Sequence, residues 1–256
     1  MRNTFVETSN VRRFFDTLRS VETRGAVESC LMIVDGAPGL GKTAMMSRFV
    51  AQTGSVYLRA HQGWNHTWFV EAMLKELAVP VPHKRVDRWA RLSEELMSRN
   101  FEARTRNQTF SIVIDECDLV SSRAEIMETI RDISDVQLVP TILVGMGKLR
   151  ENIRRFLQIQ SRAPHRCEFQ PATLEDATKL ITELSEVTVA PDLIRFAWEV
   201  SRGFNRELMD AIANIERIGR RIDTGATGLT LADMAGETLV RDRDTGKPIV
   251  IPEAVR

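Results

Sequence analysis

The sequence predicts an α/β protein: a parallel five-stranded sheet between helices, followed by a small helical end. Three observations predict it. Short apolar runs alternate with helical patterns between about residues 30 and 171, the order of elements that builds parallel sheets covered on both faces. One of these runs leads directly into a glycine-rich turn and then a helical pattern, across residues 30–50. From Thr173 the strand-like runs stop, and helical patterns continue to about residue 220. A chain of 256 residues with 43% hydrophobic content can bury one large core, or a core domain with an appendage.

Taken in order, residues 1–29 form a leader. Within it Asn10 is placed to cap a short helix carrying Val11, Phe14, Phe15 and Leu18 at helical spacing. Residues 31–34 are the first buried strand, and residues 44–50 the helix after the glycine turn. Residues 55–58 (SVYL) read as the second strand. A turn at 63–65 follows, with Trp64, Trp68 and Phe69 around it. Helices are expected at 67–77 and 84–104, separated by VPVPH at 79–83, where the prolines break the pattern. The third strand is 110–114 (FSIVI) and the fourth 139–144 (VPTILV), with a helix at 123–132 between them. A basic helix at 149–156 and a short fifth strand at 166–169 complete the core, residues 30–171. Thr173 opens a capping box of the T-x-x-E type. Helices at 173–184, 191–200 and 205–220 then make a lid, residues 172–220. Residues 221–256 are rich in Gly, Thr and Asp with one apolar patch at 229–234, and read as a partly ordered tail.

Residues 36–43 are Gly36, Ala37, Pro38, Gly39, Leu40, Gly41, Lys42 and Thr43, which fill G-x-x-x-x-G-K-[ST] at every fixed position, with Ala44 continuing into the helix. Strand, glycine loop and helix are the context in which this motif cradles phosphates. Glycines let backbone N–H groups curl around an anion, and the helix N-terminus adds partial positive charge. Lys42 is placed to reach β- and γ-phosphates and the Thr43 hydroxyl to ligate Mg²⁺. The run SIVIDECD, residues 111–118, is an apolar strand ending in two acids. Asp115 is expected to hold Mg²⁺, and Glu116 to act as base or orienter for an attacking water. Two adjacent acids favour hydrolysis over mere binding, whereas Asp118 is expected to cap or pair locally. No Asn or Ser stands at the tip of the fourth strand, so no polar sensor is assigned there.

Lys+Arg and Asp+Glu are both 35, so the chain is no bulk polycation, and any nucleic-acid contact must come from a local surface. Arg59, Lys84, Arg85, Arg88, Arg104, Arg106 and Arg123 are the local supply, most of them on solvated helix faces. Cys30, Cys117 and Cys167 lie far apart on apolar stretches, as reduced thiols of a cytoplasmic protein do. No signal-peptide pattern, membrane-length apolar run, repeat or metal-ligand spacing is visible.

With these residues assembled, the chain resembles the AAA+ ATPases over about residues 6–220. Within that superfamily it is most similar to the transposition target-selection ATPases: the B protein of Mu-like transposing phages and the TnsC-type selectors. The closer likeness lies in FVETSNVRRFFDTL (5–18), SVYLRAHQGWN (55–65), and IDECDLVSSRAEIMETIRDI (114–133) followed by VPTILVGM (139–146). The resemblance implies a P-loop AAA+ fold that uses ATP and Mg²⁺ and assembles with copies of itself into a filament on duplex DNA. The filament would direct a transposase and be dismantled by hydrolysis. Lys42, Thr43, Asp115 and Glu116 match the catalytic positions. Arg162 matches an arginine reaching a neighbouring subunit's nucleotide, with Arg166 as the alternative, and Arg206 matches a lid arginine directed at the γ-phosphate. The leader would lie near the nucleotide. DNA-contacting loops fall at 61–67 and 121–125, so Arg123 is the foremost DNA contact, with Arg59, Trp64 and Asn65 beside it. The chain departs from the phage B protein in its short N-terminal stretch, since no helix-turn-helix fits into residues 1–29. Two other readings stand beside this one. One is a nucleotide-gated assembly ATPase indifferent to DNA. The other is a replication initiator or loader, for which residues 221–256 look too short and polar to form a winged-helix reader.

Overall fold

The computed structural model describes residues 1–26, 30–222 and 225–253. The chain forms two compact units, one made of Arg13–Pro38 and Lys42–Phe169, the other of Met1–Arg12, Gly39–Gly41 and Gln170–Arg256. Helix α1, Ser9–Glu22, gives its first turn to the second unit and the rest to the first.

The first unit is built on strands β1 (Leu31–Asp35), β2 (Val56–Arg59), β3 (Ile112–Asp115), β4 (Thr141–Val144) and β5 (His165–Glu168). They pair in the order β2-β3-β4-β1-β5, every pairing parallel. The three inner strands are buried at every residue, which is why they read as unbroken apolar runs: helices cover both faces and leave no polar side. The edge strands β2 and β5 each keep an exposed residue. Helices α2 (Lys42–Thr53), α3 (His66–Glu76), α4 (Arg85–Thr105), α5 (Ala124–Gln137), α6 (Gly147–Ile153) and α7 (Leu157–Arg162) complete the unit. On one side Phe14 of α1 packs edge-on against Phe49 of α2, ring centroids 5.3 Å apart.

Several boundaries differ from the sequence expectation. β3 and β4 begin two residues late: Ser111 gives its N–H to the Ser55 hydroxyl at 3.0 Å instead of to a strand, and Pro140 has no N–H to extend its own strand. α5 continues to Gln137 and is closed by Leu138 in the left-handed conformation, φ 52°. The basic helix expected at 149–156 is α6, which starts and ends earlier, and a further helix, α7, follows after Phe156, whose ring packs against the core.

The second unit holds helices α8 (Leu174–Leu184), α9 (Pro191–Ser201) and α10 (Asn205–Gly219). The stretch expected to be a partly ordered tail is instead part of this unit's core. It forms two short 3-10 turns and an antiparallel hairpin, β6 (Thr238–Arg241) with β7 (Pro248–Val250). Leu229, Met234, Leu239, Val240 and Ile251 are buried among Leu180, Ile181, Leu193, Leu208, Ile212 and Ile215. Composition misleads here because the buried apolar residues are few and widely spaced, while others of the stretch, Ile222 and Val250, stay exposed. Residues 27–29 of the expected leader and 223–224 and 254–256 of the expected tail lie outside the described residues. Among the described residues no helix is long and apolar enough to cross a membrane.

Asp176 ties the start of the chain to α8. Its carboxylate accepts from Ser9 N at 2.7 Å, Ser9 Oγ at 2.5 Å and Thr173 N at 3.2 Å, while Thr173 Oγ1 accepts from Asp176 N at 3.1 Å. The capping box therefore closes on Asp176 and not on a glutamate, and Glu175 pairs along the helix with Lys179. Asn10 does not cap α1: its amide donates to Gln170 O and accepts from Gln170 N.

Asp176 is 1% exposed. Burial opposes its ionisation, but the hydrogen bonds from Ser9 and Thr173 outweigh it and hold the carboxyl below its ordinary value. A depressed folded pKa contributes stability above the ordinary aspartate value of about 4, lost as the pH falls through the folded value. Urea unfolding should therefore weaken more steeply from pH 7 towards pH 3 in wild type than in Asp176→Asn, and Asp176→Ala should cost about 2–3 kcal/mol at pH 7.

Candidate nucleotide site

β1 runs straight into the glycine loop. Gly36 has φ 140°, and a Cβ there would stand 2.6 Å from the Phe169 carbonyl oxygen, so the loop can leave the sheet only with glycine at its first position. Ala37 and Pro38 are exposed, whereas Leu40 is buried and anchors the loop. Lys42 opens α2 and donates from Nζ to Gly36 O at 2.7 Å and Ala37 O at 2.9 Å. Burial lowers the Lys42 pKa, and the carboxylates of Asp115, Asp118 and Asp35 act the other way. Thr43 and Ala44 face solvent in the first turn of α2.

The acids come from the tip of β3. Asp115 is 4% exposed and its carboxylate has no idle oxygen. Oδ2 accepts from Thr43 Oγ1 at 2.7 Å and Tyr57 Oη at 2.8 Å, and Oδ1 accepts from Glu116 N at 2.7 Å. Two hard oxygen donors, Thr43 Oγ1 and Asp115 Oδ2, thus stand side by side beside a lysine, a donor set suited to Mg²⁺ next to a phosphate. Glu116 sits in the left-handed region, φ 53°, a conformation costing a non-glycine residue about 1–3 kcal/mol and common at functional sites. That turn swings its side chain out of the strand to pair with Arg59, Nη2 to Oε1 at 2.5 Å. Arg59 lies opposite Asp115 in the β2–β3 register.

Asp118 caps at long range and not locally as expected. Its two oxygens accept from Met146 N at 2.6 Å and Leu149 N at 2.7 Å, closing the start of α6. The polar group at the end of β4 is therefore borrowed from the loop after β3.

In the second unit the loop apex, Gly39–Gly41, meets the start of α10. Gly39 O accepts from Arg206 N at 3.1 Å, and a Cβ on Gly41 would lie 2.6 Å from Asn205 Nδ2. Gly39 has φ 89°, a backbone conformation that strains any side chain, and Arg243 Nη1 lies 2.9 Å from where its Cβ would stand. Arg243 comes from the hairpin loop, pairs with the buried Glu207 at 2.8 Å and covers the Phe204 ring at 4.0 Å.

The remaining expected positions divide. Arg123 is the N-cap residue of α5 and donates from Nη1 to Gln62 O at 3.0 Å, joining the two loops expected to meet DNA. Trp64 is not available for DNA: it is 4% exposed, its ring centroid 5.1 Å from that of Phe69, and Trp68 is the exposed aromatic of this turn. Asn65 is the N-cap of α3, accepting from Trp68 N at 2.8 Å. Arg88 is a staple, bonded to Glu71, Pro82 O and His83 O. Arg162 pairs with Asp135 within its own chain at 2.6 Å, both side chains partly buried, while Arg166 is exposed on edge strand β5. Tyr57 carries no motif, and only strand register brings it to Asp115; in the second unit Asn205 and Arg243, equally without a motif, are brought to the loop apex by the start of α10 and by the hairpin.

Glycine loop, lysine, threonine and paired acids at the C-terminal ends of parallel strands define a P-loop nucleotide site on an AAA+ fold. Residues 28–153 match the family model described as an AAA domain. The fold is similar to Orc1 of Aeropyrum pernix, solved in complex with DNA, at 19% identity and TM-score 0.53, over 87% of this chain and 63% of that one. It is similar to the Aeropyrum pernix ORC2 protein, in ADPNP and ADP complexes, at 13% identity and TM-score 0.60, over 86% and 66%. It is also similar to the Holliday junction branch migration motor RuvB of Thermotoga maritima, at 17% identity and TM-score 0.52, over 85% and 64%. The chain thus spans less than two thirds of the length of Orc1 and RuvB. No curated protein matches the sequence.

The different fates of Trp64 and Trp68 are open to measurement. Trp64→Ala should cost about 3–5 kcal/mol in chemical denaturation, as for a buried aromatic, whereas Trp68→Ala should stay within about 1 kcal/mol.

Proposed function

We propose that this protein is an ATP-hydrolysing AAA+ protein that assembles on duplex DNA without sequence preference and directs a transposase to the DNA it coats. The single observation that carries the reading is the Arg123–Gln62 bond, which joins the loops at 61–67 and 121–125, with half-buried Arg123 as the one arginine in them. The resemblance to transposition ATPases in those same segments supports it.

In this reading the backbone N–H groups of residues 39–44 wrap the phosphates. Lys42 leaves its two carbonyl partners to meet the β- and γ-phosphates, and Arg206 is kept as the lid arginine that the family resemblance implies. Thr43 and Asp115 would hold Mg²⁺, which would supply positive charge beside the phosphates. Glu116 orients the attacking water and takes its proton. Its ion pair with Arg59 keeps it from that task until a DNA phosphate draws Arg59 away, which couples hydrolysis to DNA. Arg162 reaches a neighbouring copy's nucleotide only by giving up Asp135, so Arg166 is the arginine that acts across subunits at no such cost. A chain of zero net charge binds DNA through few cations per copy, multiplied along a filament, and such binding weakens steeply with salt.

Electron microscopy of the protein with ATP and duplex DNA at low salt should show DNA-bound filaments. Assemblies that form equally without DNA would support the assembly-ATPase alternative. Lys42→Ala should lose nucleotide binding and filaments together. Glu116→Gln should bind ATP, lose about 10²-fold or more in turnover and leave persistent filaments; normal turnover would remove Glu116 from its role. Arg123→Ala should weaken binding evenly across DNA sequences and lower the salt dependence by about one unit per copy, read by fluorescence anisotropy across a salt series.

A further inference from the structure

We infer that Tyr57 is a positioning residue for the cation that accompanies the nucleotide: its hydroxyl holds the Asp115 carboxylate in the orientation that Mg²⁺ requires. The inference rests on the nucleotide reading of the P-loop and adds a residue that no motif includes.

Tyr57 is the only tyrosine in the chain. It lies on β2, an edge strand, opposite Val113 in the pairing with β3, so its ring must reach two residues along the partner strand to meet Asp115. It makes that reach and donates to Oδ2 at 2.8 Å, the same oxygen that accepts from Thr43 at 2.7 Å. The other oxygen is held by Glu116 N at 2.7 Å. The three donors come from α2, β2 and the turn after β3, and together they leave the carboxylate one orientation. A buried carboxylate is costly unless its lone pairs are met. Without Tyr57, Oδ2 would keep Thr43 as its one donor and Oδ1 would keep Glu116 N. Partners that orient metal-ligating groups change metal affinity by about 10–100-fold when removed. Register also separates the duties of β2: Tyr57 serves Asp115, and Arg59, two residues on and on the same face, serves Glu116.

Tyr57→Phe removes one oxygen and keeps the ring. Binding of a fluorescent ADP analogue is measured with and without Mg²⁺, in wild type and variant. The Mg²⁺ concentration for half-maximal strengthening should rise about tenfold in the variant, with metal-free nucleotide affinity unchanged. Equal weakening with and without the cation would make Tyr57 a packing residue and overturn the inference, as would an unchanged Mg²⁺ dependence. A wild type that binds no nucleotide would overturn the nucleotide reading itself, and the inference with it. A second measurement does not depend on the variant folding. Tyrosine labelled with ¹³C at Cζ gives a single resonance, which should shift when Mg²⁺ is added to the ADP complex of wild type and not when ADP is added alone. A resonance indifferent to Mg²⁺ would also overturn the inference.

Discussion

The hydrogen bond from Thr43 to Asp115 joins the two halves of the candidate site. Asp115 ends β3, Thr43 lies in the first turn of α2, and no sequence neighbour links them. The bond exists because β1 and β3 stand one strand apart, with β4 between them, and both point their C-terminal ends the same way. Parallel pairing is thus what turns two separate motifs into one site, and it also explains why inner strands with no polar face end in polar residues. An Asp at 4% exposure would be a heavy burden on a strand tip without partners. Three donors convert it into a fixed point around which the loop, the acids and β2 are arranged.

The distribution of charge along the sheet follows the same logic. Asp35 closes β1 and faces Glu168 across the β1–β5 pairing. Burial and then the Glu168 charge push the Asp35 pKa up, with Arg150 and Arg166 acting against them. The strand ends are thus rich in carboxylates wherever the phosphate loop departs. A loop of N–H groups and one half-buried lysine among such acids favours an anion that arrives with its own cation. Mg²⁺ with a nucleoside polyphosphate meets that electrostatic condition better than a bare phosphate.

Much of this was legible in the sequence, for physical reasons that differ by element. The P-loop and the paired acids are local: each is a contiguous run whose chemistry depends on backbone shape, so the residues themselves announce it. The inner strands are legible because burial on both faces forces unbroken apolar runs. Trp64 and Trp68 were indistinguishable in sequence, since both flank one turn; Trp64, just before the Asn65 cap, packs back on Phe69, whereas Trp68 lies on the exposed side of α3. The hairpin at 238–250 was illegible because five apolar residues dispersed among Gly, Thr and Asp look like a tail until α8, α9 and α10 supply the surface they cover. Tyr57 was hidden because its role depends on register between strands more than fifty residues apart, which no single run encodes.

Glu116 shows how local strain and long-range pairing work together. Its left-handed backbone, φ 53°, is unfavourable in itself, and the Glu116 N to Asp115 Oδ1 bond holds it there at 2.7 Å. The same turn that strains the backbone carries the carboxylate out to Arg59, where it is 45% exposed. A pair this exposed is worth little to stability, about 0–1 kcal/mol, and is screened by salt. Its weakness suits a contact that must be exchanged: a deeply buried bridge would hold Glu116 permanently, and no bridge would leave it always free. Asp115, buried and triply bonded, takes the fixed role, and its neighbour Glu116 takes the movable one. Adjacent positions on one strand end are driven to opposite environments by a single left-handed residue.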